Sequence, residues 1–146
     1  MAETARRNDP YGAFRFEVAV DGMAVGGFSE CGGLQVETEV MDYPEGGLNS
    51  FVHKLPTRSK QVPIRLKRGV VDRVLWDWHD ALLAGDTRRR DGAIRVLDPD
   101  GGEVLAEWRF HRAFPIKWTG PELNSTQSQV AVESLELAHE GLERGR

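Results

Sequence analysis

Gln129-Val130-Ala131-Val132-Glu133-Ser134-Leu135-Glu136-Leu137-Ala138-His139 reads as a β-strand with apolar residues on both faces. Side chains alternate along a strand, so Val130 and Val132 point one way while Ala131, Leu135 and Leu137 point the other. A single small antiparallel sheet covers one face and leaves the second to water. Cover on both faces requires a sheet curled into a barrel with a helix outside it, or a neighbouring subunit.

Moving outward from this stretch, Val104, Ala106, Trp108, Phe110 and Phe114 share one face of a strand over 104–114. Ala93 to Leu97 reads as a strand before it, separated by the turn Asp98-Pro99-Asp100-Gly101-Gly102, and Pro115, Gly120 and Pro121 are expected to break the chain after it. One helix is clear: Val71, Val74, Leu75, Trp78 and Leu82 recur at helical spacing, with Arg73, Asp77 and Asp80 opposite. Gly85 is placed to stop it. Trp76, His79 and Leu83 form a second, flanking stripe that suits either packing within the chain or contact with another subunit.

The first half reads as strands throughout. Phe14, Phe16, Val18 and Val20 alternate, Asp21-Gly22 is a hairpin signal, and Met23 to Phe28 is the expected return strand. Ser29 to Gly33 reads as a turn and Leu34 to Tyr43 as an alternating strand. Tyr43 to Ser50 is a loop rich in glycine. Phe51–Leu55 and Val62–Arg68 are expected to pair across a polar link at Thr57 to Gln61, with Pro63 marking a strand start or a sheet edge. The fold class is mainly β: an antiparallel barrel or sandwich with one flanking α-helix. Residues 1–10 read as a flexible arm and 11–146 as one domain.

The chain has 146 residues, of which 40% are hydrophobic and 29% charged, and a net charge of −4 from 19 basic and 23 acidic side chains. That balance lacks the basic excess of nucleic-acid binders. Arg88-Arg89-Arg90, next to Asp86 and Asp91, reads as a solvated loop. Cys31 is the sole cysteine, so no disulfide within the chain is expected and folding in a reducing cytoplasm fits. No signal peptide or apolar run long enough to span a bilayer is visible, and no membrane anchoring is expected.

The residues of catalysis do not assemble. His53, His79, His111 and His139 lack metal-ligand spacing, Cys31 lacks a neighbouring base, and the glycines around Gly26 and Gly33 lack the lysine and helix of a phosphate cradle. Asp98 and Asp100 read as turn chemistry. The expectation is a protein without catalytic, cofactor or metal residues.

Taken together, Phe14 to Val18, Gly27-Phe28-Ser29-Glu30-Cys31-Gly32-Gly33-Leu34, Tyr43 to Asn49, Leu66 to Gly69, the Trp76/Trp78 helix, Pro115 to Pro121 and Glu133 to Leu142 resemble the tail-tube family of contractile phages and extracellular contractile injection systems. The chain is also similar to the haemolysin-coregulated protein of type VI secretion. The resemblance implies a barrel with a flanking helix, six copies closing a ring, and rings stacking into a hollow tube. Implied partners are further copies of itself, a contractile sheath protein, baseplate or tube-initiating proteins, and DNA or effector cargo in the lumen. It also implies assembly in a bacterial cytoplasm and service in a phage tail or a released injection particle. A tube-like baseplate protein and a stand-alone ligand-binding barrel are the alternatives.

On this reading Tyr43, Pro44, Glu45, Gly46, Gly47, Leu48, Asn49 and Phe51 are candidates for ring or stacking contact. Trp76, His79 and Leu83 are candidates for subunit contact, and Glu37 and Glu39 for the lumen wall. The strands near 34–43 and 129–139, long and regular, are expected to offer edges for pairing between subunits.

Overall fold

The computed structural model describes residues 15–21, 23–25, 28–44, 46, 52–70, 72–100, 102–128 and 130–146. The strand that opened the argument becomes β9 (Val132–Ala138), held between β8 (Val104–Thr119) and β6 (Ile64–Gly69). Both of its edges are therefore paired, and the expectation of a free edge at 129–139 fails. Leu135 and Leu137 are fully buried, whereas Val130 lies outside the strand and is exposed.

The main sheet runs β2-β1-β7-β8-β9-β6-β3, with β10 also paired to β8. Here β1 is Phe16–Val20, β2 Met23–Val25, β3 Phe28–Gly32, β7 Arg90–Leu97 and β10 Gly141–Arg144. The β1–β2 turn at Asp21, with φ of 51°, is the hairpin expected there. Although β1 and β3 lie toward opposite ends of the sheet, Val18 and Val20 of β1 share one core with Phe28 of β3, Leu66 of β6 and Phe110 of β8. The sheet is thus curled around a common interior. Fully burying side chains of this size stabilises by about 1.5–3 kcal/mol each, and this interior is the main stabilising element.

The curl depends on β8. Its first half pairs with β7 and its second with β9, with a register shift between Pro115 and Lys117. Proline removes a ladder donor and is tolerated at bulges. Pro115 accordingly sits buried opposite Leu137 without ending the strand, which runs on to Thr119. The expected break at 115 falls at Gly120 instead.

The helix α1 (Val74–Leu83) inserts Leu75 into the core and packs Trp78 against it. Gly85, at φ of 106°, ends it as expected. Its start is fixed by Asp72, whose carboxylate accepts from the Val74 amide at 3.0 Å and from Arg68 Nη2 at 2.5 Å.

Two pairings differ from the expectation. Ser29 to Gly32 is strand, and the chain turns over Gly33 to Gln35, where the Gln35 amide donates to the Gly33 carbonyl at 2.8 Å, before β4 begins. The stretch Thr57 to Gln61 is also strand, part of β5 (His53–Gln61), which pairs with β4 (Val36–Tyr43). Phe51 lies outside the described residues; His53–Leu55 pairs with β4, while Ile64–Gly69 pairs with β3 and β9. Thr57 to Gln61 reads as a link in the sequence because both its faces are polar.

Candidate assembly surface

Strands β4 and β5 form a separate two-stranded sheet. They continue the β3–β6 pair beyond a bend at Gly33 and Pro63. Gly33 has φ of 90°, and a Cβ there would overlap the carbonyl oxygen of Pro63, so the close crossing requires glycine. Past this bend the ribbon leaves the core. Nearly every residue of β4 and β5 is exposed, including Val36, Val40, Met41, Tyr43 and Leu55, each more than 40% accessible. An isolated two-stranded hairpin is marginally stable in water, and this arm leaves its apolar side chains uncovered by the rest of the chain.

The two faces of the arm are built differently. Val36, Thr38 and Val40 share one face with Ser59 and Pro56, and near the tip Lys54 Nζ meets Asp42 at 2.8 Å. Glu37, Glu39, Met41 and Tyr43 share the other face with Lys60, Leu55 and His53. A bulge sets Glu39 against Thr57 and Arg58: the Thr57 hydroxyl donates to the Glu39 carbonyl at 2.9 Å, and Arg58 Nε meets the Glu39 carboxylate at 2.6 Å. The lumen candidates Glu37 and Glu39 therefore lie on one face, beside two basic residues.

Of the tip candidates, Tyr43 and Pro44 are exposed at the end of β4, and Gly46 has open space where a Cβ would stand. Glu45, Gly47, Leu48, Asn49 and Phe51 lie outside the described residues, as does the segment 1–10. On the helix, Trp76 packs edge-on against Trp118 at 4.8 Å between ring centres, His79 is half-buried, and Leu83 is 70% exposed. The stripe is therefore divided: Trp76 has a partner within the chain, and Leu83 faces outward.

A buried ion pair that the sequence did not reveal lies in the body, at the end of the β3–β6 pair away from the arm. Arg68 of β6 and Glu133 of β9, each 2% exposed, meet at 3.0 Å. Trp118 Nε1 donates to the other Glu133 oxygen at 3.1 Å, and Arg68 also lies over the Phe28 ring. Charges in such surroundings need partners for every polar atom. Among the described residues, every buried side-chain nitrogen and oxygen has one.

The remaining reactive groups are committed to structure. Burial pushes the Cys31 thiol up to about 11, opposite to what a nucleophile requires. Arg88 pairs with Asp86 at 2.9 Å, Arg89 with Glu140 at 3.4 Å and Arg90 with Asp21 at 3.0 Å, so the arginine triplet is spent on local ion pairs. Among the described residues no group of three potential ligands gathers for a metal ion. No helix there is long and apolar enough to cross a membrane.

No curated protein matches the chain. Among solved structures it is similar to a chain of the PVC sheath–tube complex, an extracellular contractile injection system in its extended state, with 26% identity and a TM-score of 0.85 over 94% of this chain and 93% of that one. It is similar also to a chain of the anti-feeding prophage tube-terminating cap, with 26% identity and a TM-score of 0.86 over 99% and 98%. Hcp1 from Flavobacterium johnsoniae, at 15% identity and a TM-score of 0.53 over 89% and 94%, shares the fold. Residues 12–143 match the family described as T4-like virus tail tube protein gp19. With that match over nearly its whole length, the chain belongs to the T4-like tail tube family and is a structural tube protein of contractile injection systems.

Proposed function

We propose that this chain forms six-membered rings that stack into a hollow conduit inside a contractile sheath, made and assembled in a bacterial cytoplasm and carrying DNA or effector cargo. The observation that carries this reading is the β4–β5 arm: a ribbon with uncovered apolar side chains on both faces and no core of its own. Ring closure needs unlike surfaces to meet head to tail, and an arm on a rigid body supplies one of them. Tyr43 to Asn49 and Phe51 at its tip are proposed to reach the next ring or neighbour, and Leu83 to meet an adjacent copy or the sheath. Glu37 and Glu39 are proposed for the conduit wall, where Lys60 and Arg58 beside them balance the charge.

A second reading is supported by the similarity to a tube-terminating cap: the same fold could end a tube rather than fill its length. Negative-stain electron microscopy of the full chain over a concentration series tests the first reading. Six-fold rings and tubes of many layers are expected. Single capped rings that never stack favour the terminator, and monomers at every concentration overturn both. Enlarging Gly46 and Gly47 together should leave the monomer folded and weaken stacking; tubes indistinguishable from wild type would remove the tip from the contact.

A further inference from the structure

The chain sorts its charges by strand along the ribbon. From Phe28 to Tyr43 there are four acids, Glu30, Glu37, Glu39 and Asp42, and no lysine or arginine. From His53 to Gly69 there are six bases, Lys54, Arg58, Lys60, Arg65, Lys67 and Arg68, and no acid. The ribbon therefore has one acidic and one basic side along its length.

In the body, the basic side has acidic strands on both flanks. Lys67 of β6 faces Glu30 of β3 at 3.6 Å, while Arg65 and Arg68 stand opposite Glu136 and Glu133 of β9. In the arm, β5 has only β4 beside it, and among the described residues no other strand pairs with either. The third, acidic strand is missing where the ribbon leaves the core.

We propose that β4 of a second copy supplies it: the basic edge of β5 in one subunit receives the acidic β4 edge of the next. This inference rests on the ring reading above and names the contact that closes the ring. The geometry suits it. A rotation about an axis parallel to the strands keeps every arm pointing the same way, so β5 of one copy lies antiparallel to β4 of its neighbour. Acidic and basic strands then alternate around the ring, and both arm edges gain hydrogen-bond partners. Pro56 lacks an N–H and the bulge at Thr57–Arg58 breaks the regular edge, so the pairing runs along β5 on either side of them, and the β5 lysines repel another basic strand. Opposite charges on directly facing cross-strand neighbours attract and like charges repel, which selects an acidic strand in place of a second β5.

The test is a charge-exchange experiment on the full chain. K54E/R58E/K60E makes both strands of the arm acidic, and E37K/E39K/D42K makes both basic. Each alone should lose ring formation at concentrations where wild type forms rings. An equimolar mixture should recover it, because copies can alternate in a ring of even number. Mixing leaves the like charges inside each arm unchanged, so recovery reports contacts between copies alone.

Rings from either variant by itself, or a mixture that stays dispersed while wild type assembles, would overturn the proposal. Should the triple variants disturb the arm, Asp42→Lys mixed with Lys54→Asp gives the same test with one pair. Failure of wild type to form rings sinks the ring reading itself, and this contact with it; the wild-type control separates the two failures.

Discussion

Strands β5 and β6 follow one another in the chain, separated only by Val62 and Pro63, yet they live in different environments. In β6, Ile64, Leu66 and Arg68 are buried and alternate with exposed Arg65 and Lys67. In β5 no residue is buried. Both are basic, both pair with an acidic strand, and both are regular; what separates them is a third strand and a core. The position of the bend at Gly33 and Pro63 decides which residues leave the core, and on the proposed assembly these are the residues a neighbouring copy covers.

Substitutions sharpen this contrast in decreasing order of effect. Phe110→Ala, at the centre of the core, should cost about 3–5 kcal/mol and be read as a lower denaturant midpoint, with assembly lost because the body is lost. Glu133→Gln removes the buried one of Arg68's two counter-charges, leaving only half-exposed Asp72, and should cost about 3 kcal/mol. Loss of much less would mean that Asp72 alone suffices for Arg68. Gly33→Ala forces a left-handed residue and a clash with Pro63, costing at least about 1 kcal/mol. It should re-aim the arm and abolish rings while near-ultraviolet circular dichroism of the body persists.

Met41→Ser with Leu55→Ser should change monomer stability by about 0.5 kcal/mol or less yet weaken assembly, because these two half-exposed side chains face each other across the ribbon and take no part in the core. A large drop in monomer stability would break the comparison. The smallest effect is at Asp86. Hydrogen bonds from the Arg88 side chain and amide, followed by its charge, hold the Asp86 carboxyl down at about 2. A depressed carboxylate stabilises above its unfolded value and loses that contribution as the pH falls through the folded one. The small deficit of Asp86→Asn seen in thermal melts at neutral pH should therefore vanish toward pH 2.

The sequence made the body legible for a physical reason: a strand with one face on a core alternates, as Phe16, Val18 and Val20 or Leu135 and Leu137 do. The same signal fails where no core imposes it. Exposed Thr57 to Gln61 looked like a link, and β10, short and half exposed, left no pattern to read. Pro115 looked like a break because its bulge is a property of pairing, not of the local sequence. Arg68 and Glu133 are 65 residues apart, and only the β6–β9 register brings them together. Of the contact candidates at Tyr43–Asn49 and Phe51, the sequence marked Tyr43 and Pro44, which are exposed; that Val36, Val40, Met41 and Leu55 further down the arm are uncovered too required the structure.

Hydrogen exchange measured on the monomer and on assembled tubes tests the central claim most directly. Amides of β4 and β5 should exchange fast in the monomer and become protected in the tube, while those of β6, β8 and β9 stay protected in both. An arm already protected in the monomer, or still unprotected in the tube, would contradict the account.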